Sequence, residues 1–138
     1  MLDLSPLLFR LPTFADPRGS LVAFERANGL PFTAERFFFV FGVPAGGARG
    51  SHAHREQHQF LIPVQGSVIV DVTDGEGEAT VQIDAPSTGL WLPPLTWATE
   101  RYVDATSILL VLASGPYQPA EYIESLEEMR DLRRRGRE

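Results

Sequence analysis

The sequence predicts an all-β fold, a sandwich or barrel of short strands followed by one short α-helix. Short apolar runs rich in β-branched and aromatic residues recur at fairly regular spacing along the 138 residues. The 11 prolines and 12 glycines are spread between these runs as turn residues and form no linker. Helical periodicity is confined to the C-terminal tail. Many short strands separated by turns are typical of sandwiches and barrels.

The turn residues set the order of the predicted strands. Pro17 and Gly19 occupy typical turn positions in the segment 16–19. Gln65 and Gly66 lie between two apolar runs and predict a hairpin. The aromatic run 36–41 is apolar throughout, which predicts a strand buried on both faces. We therefore predict strands at residues 7–14, 20–25, 36–41, 58–64, 67–72, 79–83, 90–92, 96–102 and 107–113.

The C-terminal tail predicts a helix that begins near Pro119, a residue favoured at the first helical position. Glutamates precede arginines along the tail, an order that complements the helix dipole. The apolar residues form one stripe, so the helix is expected to pack on the barrel or on a second subunit. That stripe consists of Tyr122, Ile123, Leu126, Met129 and Leu132.

Length and composition narrow the class of protein. A chain of 138 residues fits one domain, which we assign to residues 1–138. The net charge of -6 argues against sequence-independent binding of nucleic acid. No apolar run suits a membrane-spanning helix, and the N-terminus lacks the basic region of a secretion signal. We therefore expect a cytoplasmic protein that binds neither nucleic acid nor membrane.

The absence of cysteine and of lysine excludes several kinds of covalent and metal chemistry. The chain has no cysteine, so it forms neither disulfides nor cysteine metal sites. All 12 basic residues are arginine, which excludes a Schiff base on a lysine side chain. A few arginines in a pocket can nevertheless bind phosphate.

All three histidines fall within seven positions, at His52, His54 and His58. Residues i and i+2 on a strand point to the same face, so His52 and His54 project together. They follow a glycine-rich turn and precede an apolar strand, which favours an inward-facing pair. The direction of His58 stays open, because the residues before it can bend the chain. A hydrogen-bonded pair without chemistry is the alternative interpretation.

The spacing of Gly46, the histidine pair, Gln59 and Gly66 resembles the first motif of the cupins. Metal-binding cupins usually carry Glu where this chain has Gln59, and a further histidine on a later strand. Two histidines and a neutral amide make a weak site for a divalent ion, unless His58 joins them. We therefore predict no metal and no cofactor.

Paired histidines without a metal suit proton transfer beside a carbonyl group. Imidazole titrates near pH 6.5, so at neutral pH it can accept a proton and return it elsewhere. Removing a proton next to a carbonyl gives an enediol or enolate, and reprotonation of the neighbouring carbon moves the carbonyl by one position. A nearby donor must stabilise the developing oxyanion.

Several motifs in collinear order resemble the dTDP-sugar 3,4-ketoisomerases. The resemblance covers roughly residues 9–125 and is most specific in its two arginine-glycine blocks. The matching residues are Asp16-Pro17-Arg18-Gly19-Ser20-Leu21-Val22, Arg36 with its aromatic run, Arg49-Gly50-Ser51-His52-Ala53-His54, Gln59-Phe60-Leu61-Ile62, Gly66-Ser67, Gly89-Leu90-Trp91, Pro94, Trp97, Val111-Leu112-Ala113-Ser114 and Glu121-Tyr122-Ile123.

The resemblance implies a cupin-type β-barrel, or jelly roll, that forms homodimers by exchanging an N-terminal strand. It implies metal-independent isomerisation of dTDP-4-keto-6-deoxyglucose to its 3-keto isomer, a step toward deoxyamino sugars of surface polysaccharide. By position, His52 and His54 are the proton-transfer groups, with His54 favoured for the C3 proton. We predict substrate contacts from Arg18, Arg36, Arg49, Ser51, Gln59, Trp97 and Tyr102.

Two departures from the family pattern concern the expected pocket. Family members often carry tyrosines where this chain has Phe38 and Phe39, and a histidine where it has Ala98. Tyr102 and Glu100 lie nearby in sequence and are candidates to compensate. The departures leave two alternatives: a related enzyme such as a nucleotide-sugar epimerase or an acyl-chain partner module, and a non-catalytic sugar-nucleotide-binding cupin.

Overall fold

A computed structural model describes residues 1–136 of the chain, apart from the side chain of Asn28. Twelve strands and one α-helix lie in this part, with short 3-10 helices at Arg26–Asn28 and Pro119–Glu121. The elements are β1 Leu8–Arg10, β2 Thr13–Asp16, β3 Gly19–Val22, β4 Arg36–Val40, β5 Ala48–His54, β6 Gln59–Gln65, β7 Val68–Thr73, β8 Glu78–Ile83, β9 Thr88–Leu92, β10 Trp97–Tyr102, β11 Ile108–Ala113, β12 Tyr122–Ile123 and α1 Leu126–Arg135.

Ten of the strands form two five-stranded sheets, in which every pairing is antiparallel. Sheet 1 has the order β1-β9-β6-β11-β4, and sheet 2 has the order β12-β5-β10-β7-β8. The sheets face each other in a jelly-roll arrangement and do not close into one continuous barrel. The predicted all-β fold with a C-terminal helix is confirmed.

The main core fills the space between the two sheets. Val68, Val70 and Val72 alternate inward along β7 and are almost completely buried, as the two-residue period of a strand requires. Leu61 and Val111 meet them from sheet 1. Burying an aliphatic side chain of this size contributes roughly 1.5–3 kcal/mol to the free energy of unfolding.

The N-terminal segment differs from the prediction of one strand over residues 7–14. β1 pairs with β9, but Leu11 turns inward into a second apolar cluster on the outer face of sheet 1. Pro12 follows it and has no N–H to continue a ladder. The hairpin β2–β3 therefore starts anew and pairs with neither large sheet.

The prediction that the aromatic run is buried on both faces is wrong. β4 is the edge strand of sheet 1, and Phe38 packs into the main core. Phe37, Phe39 and Phe41 point the other way and are 52–71% exposed. The second apolar cluster covers the centre of the outer face of sheet 1, and these three rings stay uncovered at the edge.

The prediction of a helix starting at Pro119 is also wrong. Pro119 begins one 3-10 turn, and β12 then pairs with His54 and Ala53 of β5. The helix starts after Ser125, whose Oγ accepts the backbone N–H of Glu128 at 3.2 Å, as an N-cap does. Met129 anchors α1 against the outer face of sheet 2.

None of the helical segments within residues 1–136 combines the length and the apolar character that a bilayer crossing requires.

Candidate active site

A cavity of about 350 Å³ opens between the two sheets, beside the histidine strand β5. Apolar side chains from sheet 1 form one wall, and polar side chains from sheet 2 and the C-terminal segment form the other. The lining residues are Phe38, Val40, Arg49, His52, Gln59, Glu100, Tyr102, Leu109, Val111, Tyr117, Pro119, Tyr122 and Glu124.

His52 and His54 lie on the same face of β5, as the strand period predicts. Their ring centroids are 5.1 Å apart, and His52 is half-buried on the cavity wall. His54 lies behind it and is only 7% exposed. Tyr122 contacts both rings, with centroid distances of 4.9 Å to His52 and 4.8 Å to His54. The three rings form one cluster at the cavity.

Both histidines are held in the neutral form at neutral pH. Burial, together with the neighbouring His52, lowers the pKa of His54 to about 4. Burial also lowers the pKa of His52, although a hydrogen bond to the Gly50 carbonyl acts in the opposite direction. That bond makes one ring nitrogen of His52 a donor, so the other nitrogen of the neutral ring is free to accept a proton.

A buried carboxylate fixes the chain between the histidine strand and β6. The Glu121 carboxylate accepts the backbone N–H of Glu56 and that of Gln57, the latter at 2.5 Å. β6 then begins with Gln59, whose Nε2 lies 3.4 Å from Nε2 of His54. The bend therefore sets the position of the amide beside the inner histidine.

His58 lies on the opposite side of sheet 1 from the histidine pair. Trp91 Nε1 donates to His58 Nδ1 at 3.0 Å, and the two rings stack with centroids 5.7 Å apart. Phe32 covers His58 at 5.3 Å. Within the described chain, no three His, Cys, Asp or Glu side chains are grouped so that they could hold a metal ion.

Several residues predicted to bind substrate do meet at the cavity. Arg49, Gln59 and Tyr102 line it together with His52. Arg36 lies at its edge, where its Nε donates to the Gly115 carbonyl at 3.2 Å and its guanidinium lies over a ring of the cavity wall.

Three other residues predicted to bind substrate lie elsewhere in this protomer. Arg18 is at the tip of the exposed hairpin, paired with Asp16 at 2.6 Å. Ser51 points outward, because it alternates with His52 along β5, and its Oγ lies 3.0 Å from Oγ1 of Thr99. Trp97 packs beneath α1 on the outer face of sheet 2. The structure does not bring these three side chains to the cavity.

The cavity also contains Tyr122, which was not predicted as a site residue, and Glu100, which was only a candidate to compensate for missing polar groups. Tyr122 was assigned to the helix stripe, and only the long-range pairing of β12 with β5 reveals its place. Glu100 lies two residues from both Ala98 and Tyr102 along β10, so the two-residue period of the strand predicts that all three face inward. Burial raises the pKa of Glu100 to about 7, and burial with the nearby Glu100 carboxyl raises the pKa of Tyr102.

Comparison with known proteins gives consistent matches over most of the chain. The TDP-4-oxo-6-deoxy-alpha-D-glucose-3,4-oxoisomerase of Aneurinibacillus thermoaerophilus is 32% identical over 115 residues, which cover 83% of each chain. The sugar 3,4-ketoisomerase QdtA from Thermoanaerobacterium thermosaccharolyticum, solved with TDP, matches with a TM-score of 0.86. Its identity is 31%, over 93% of this chain and 94% of that chain.

A histidine-to-asparagine variant of QdtA, solved with TDP-4-keto-6-deoxyglucose, matches with a TM-score of 0.85 and 31% identity over 90% of each chain. The family model described as "FdtA: WxcM-like, C-terminal" matches residues 5–134. The chain therefore belongs to the WxcM-like family represented by that model.

Proposed function

We propose that this protein is a nucleotide-sugar 3,4-ketoisomerase that converts dTDP-4-keto-6-deoxyglucose into its 3-keto isomer. One observation carries the proposal: a pair of neutral histidines adjoins a cavity in a member of this family. The names of the similar enzymes supply the substrate, since one is a TDP-4-oxo-6-deoxyglucose oxoisomerase and another was solved with the TDP-4-keto sugar.

His52 is the base that takes the C3 proton. It lines the cavity, and its hydrogen bond to the Gly50 carbonyl leaves the second ring nitrogen free to accept a proton. His54 was favoured from the sequence, but it lies behind His52 and the pKa of about 4 makes it a weaker base. His54 instead orients its neighbour, and His52 returns the proton to C4.

The remaining lining residues suit the other parts of the substrate. A cavity of about 350 Å³ accommodates the sugar ring against the apolar wall that includes Val40 and Val111. Arg49 is exposed at this cavity and binds the diphosphate. Tyr117 is exposed on the C-terminal side and offers a ring on which the base can stack.

Tyr122 offsets one departure from the family pattern. Of the two phenylalanines that replace family tyrosines, Phe38 lines the cavity and Phe39 lies on the opposite face. Only the change at Phe38 therefore removes a phenol from the pocket. Tyr122 supplies a phenol to the same cavity from β12 and contacts both histidine rings.

Proton NMR in D2O tests this proposal directly. Chelator-treated protein is mixed with dTDP-4-keto-6-deoxyglucose, and we expect deuterium at C3 together with a new 3-keto signal. Deuterium without migration of the keto group would indicate an epimerase instead. Saturable binding of the nucleotide sugar with neither change would indicate a non-catalytic binding protein.

We also propose that the protein is a homodimer in which the N-terminal hairpin crosses to the partner. The β2–β3 hairpin leaves Phe14 and Leu21 exposed, and β4 is a sheet edge with three exposed phenylalanines. Exposed edges and apolar patches of this kind favour pairing with another chain. The exchange places Arg18 of one protomer near the partner's sheet, which would explain its distance from the cavity in its own protomer.

Sedimentation velocity tests the dimer. We expect a dimer for the wild-type chain and a shift toward monomer for Phe39→Arg, because a charge on the exposed face of β4 opposes burial. Glu78→Arg on exposed β8 is the control and should leave the dimer intact. A monomeric wild-type protein at micromolar concentration would exclude strand exchange. The cytoplasmic location remains a prediction.

A further inference from the structure

Glu100 places a carboxyl group inside the cavity, on the face of β10 that points toward sheet 1. The residue is 9% exposed and lines the same cavity as His52. Its own backbone N–H is the hydrogen-bond donor that acts on the carboxyl group, which otherwise faces the cavity. The nearest charge acting on it is the guanidinium of Arg49, its register partner on β5.

Glu121, the other buried carboxyl group at this end of the molecule, has a different hydrogen-bonding environment from that of Glu100. Glu121 is equally buried, but its carboxylate accepts two backbone N–H groups and thereby holds the bend before β6. The Glu100 carboxyl group has only its own backbone N–H as a donor, so its burial costs free energy without joining it to another part of the fold. Groups retained at such a cost concentrate at functional sites.

Gly50 brings this carboxyl group close to the histidine pair. A Cβ at position 50 would lie 2.1 Å from Oε2 of Glu100, so the carboxyl group occupies the space that a side chain would fill. The carbonyl of the same Gly50 accepts the hydrogen bond from the His52 ring. Carboxyl group and imidazole therefore converge on one residue of β5.

We propose that Glu100 is a second acid–base group, which carries a proton between the O4 and O3 atoms of the bound sugar. This proposal rests on the proposed ketoisomerase function. The reaction needs such a group because the C4 oxygen must gain a proton and the C3 oxygen must lose one. Both oxygens are on adjacent carbons, so a single carboxyl group can serve both.

The steps balance with these two residues alone. His52 takes the proton from C3, the C–H electron pair becomes the C3–C4 double bond, and the carbonyl electron pair moves to O4, which takes the proton of Glu100. The Glu100 carboxylate then takes the proton from O3, whose O–H electron pair forms the C3 carbonyl. The double-bond pair takes the proton of His52 at C4, and both residues return to their starting states.

The environment of Glu100 suits a group that both gives and takes a proton. Its pKa of about 7 leaves both forms populated at neutral pH, as general acid–base catalysis prefers. The titratable groups facing it are Arg49 and His52 from β5 and Tyr102 from its own strand. Sheet 1 faces it with the amide of Gln59 and with apolar side chains, and the C-terminal segment adds Tyr117, Tyr122 and Glu124.

Glu100→Gln separates the two halves of the reaction. The amide still donates a hydrogen bond to O4, but it cannot take the proton from O3. We expect formation of the 3-keto sugar to fall about 10²- to 10³-fold. Deuterium exchange at C3, measured in the same D2O experiment, should fall less, so that the ratio of exchange to isomerisation rises at least about tenfold. The alkaline limb of the pH–rate profile near pH 7 should disappear.

Two further variants complete the test. Glu100→Asp keeps a carboxyl group and should retain the alkaline limb with a reduced rate, whereas Glu78→Gln on exposed β8 should match the wild type. An unchanged rate and pH profile in Glu100→Gln would overturn the role. An equal loss of exchange and isomerisation would also overturn it, because a residue that only shapes the pocket gives that result. If the wild-type protein itself neither exchanges nor isomerises, the ketoisomerase proposal fails instead.

Discussion

The inner histidines and His58 lie within seven positions of one another and have opposite surroundings. His52 and His54 adjoin a cavity between the sheets, and a tyrosine ring contacts both. His58 lies on the outer face of sheet 1, where its Nδ1 accepts the Trp91 indole N–H and two aromatic rings cover it. Burial lowers the pKa of all three.

A lowered pKa is therefore not what distinguishes a reactive histidine in this molecule. His58 uses its free ring nitrogen to bind the indole, so it has a structural partner on that side. His52 lies on the cavity wall, and the Gly50 carbonyl engages one of its ring nitrogens, which leaves the second as the candidate acceptor of a substrate proton. The two histidines therefore differ in whether the unprotonated ring nitrogen is already bound, as in His58, or is left for a substrate, as in His52.

The largest effect on activity is expected from substituting His52, the histidine that lines the cavity. We expect His52→Asn to lower kcat for isomerisation by about 10²- to 10⁴-fold, the usual contribution of a positioned general base. Binding of dTDP, measured by calorimetry, should change little because His52 acts on the sugar. Full turnover in this variant would remove His52 as the base.

A smaller effect is expected on the pH dependence of stability, to which His54 and His58 should contribute differently. The folded protein holds His54 neutral down to pH about 4, while the unfolded chain binds a proton near pH 6.5. Stability is therefore lost as pH falls through this window, by an amount on the order of 3 kcal/mol when the full shift applies. Thermal melts from pH 7 to 4 should show a shallower loss for His54→Gln than for the wild type.

His58→Gln is the matched control in those melts. Burial also lowers the pKa of His58, but this residue is less buried than His54. The change of stability with pH in His58→Gln should therefore stay close to that of the wild type. If His54→Gln and His58→Gln reduced the loss of stability between pH 7 and 4 equally, the pH dependence could not be assigned to the inner histidines.

The smallest effect on activity is expected for His58→Phe. The substitution removes the acceptor of the Trp91 indole N–H and should lower the free energy of unfolding by about 1–2 kcal/mol. Turnover should be unchanged, because His58 is on the far side of sheet 1 from the cavity. A loss of turnover that exceeds the loss of folded protein would show that the outer histidine influences the pocket.

Local patterns in the sequence were sufficient for much of the fold. Alternation predicted that His52 and His54 share a face, and the turn at Gly66 was correctly predicted, since Gly66 has a φ of +73°. The predicted hairpin around this turn is wrong, because β6 belongs to sheet 1 and β7 to sheet 2, and the two strands do not pair. The fold class followed from the same signals. These features depend on residues close together in the chain.

The errors arose where long-range contacts decide the structure. Tyr122 and Ile123 fit a helical stripe, but they pair with β5, which outweighs local preference. The aromatic run suited a central strand, and only the sheet order shows that β4 is an edge. The prediction that Trp97 contacts substrate rests on a family motif, and in this protomer its place on β10 directs the side chain beneath α1.

The contact between Gly50 and Glu100 links the evolution of these two positions. A side chain at position 50 would collide with the carboxyl group, and the φ of +90° there separately favours glycine. A Cβ at position 50 would make the flexible Glu100 side chain move, so the carboxyl group keeps this place beside His52 only while position 50 is glycine. Substitutions at the two positions are therefore expected to be correlated among descendants of this chain.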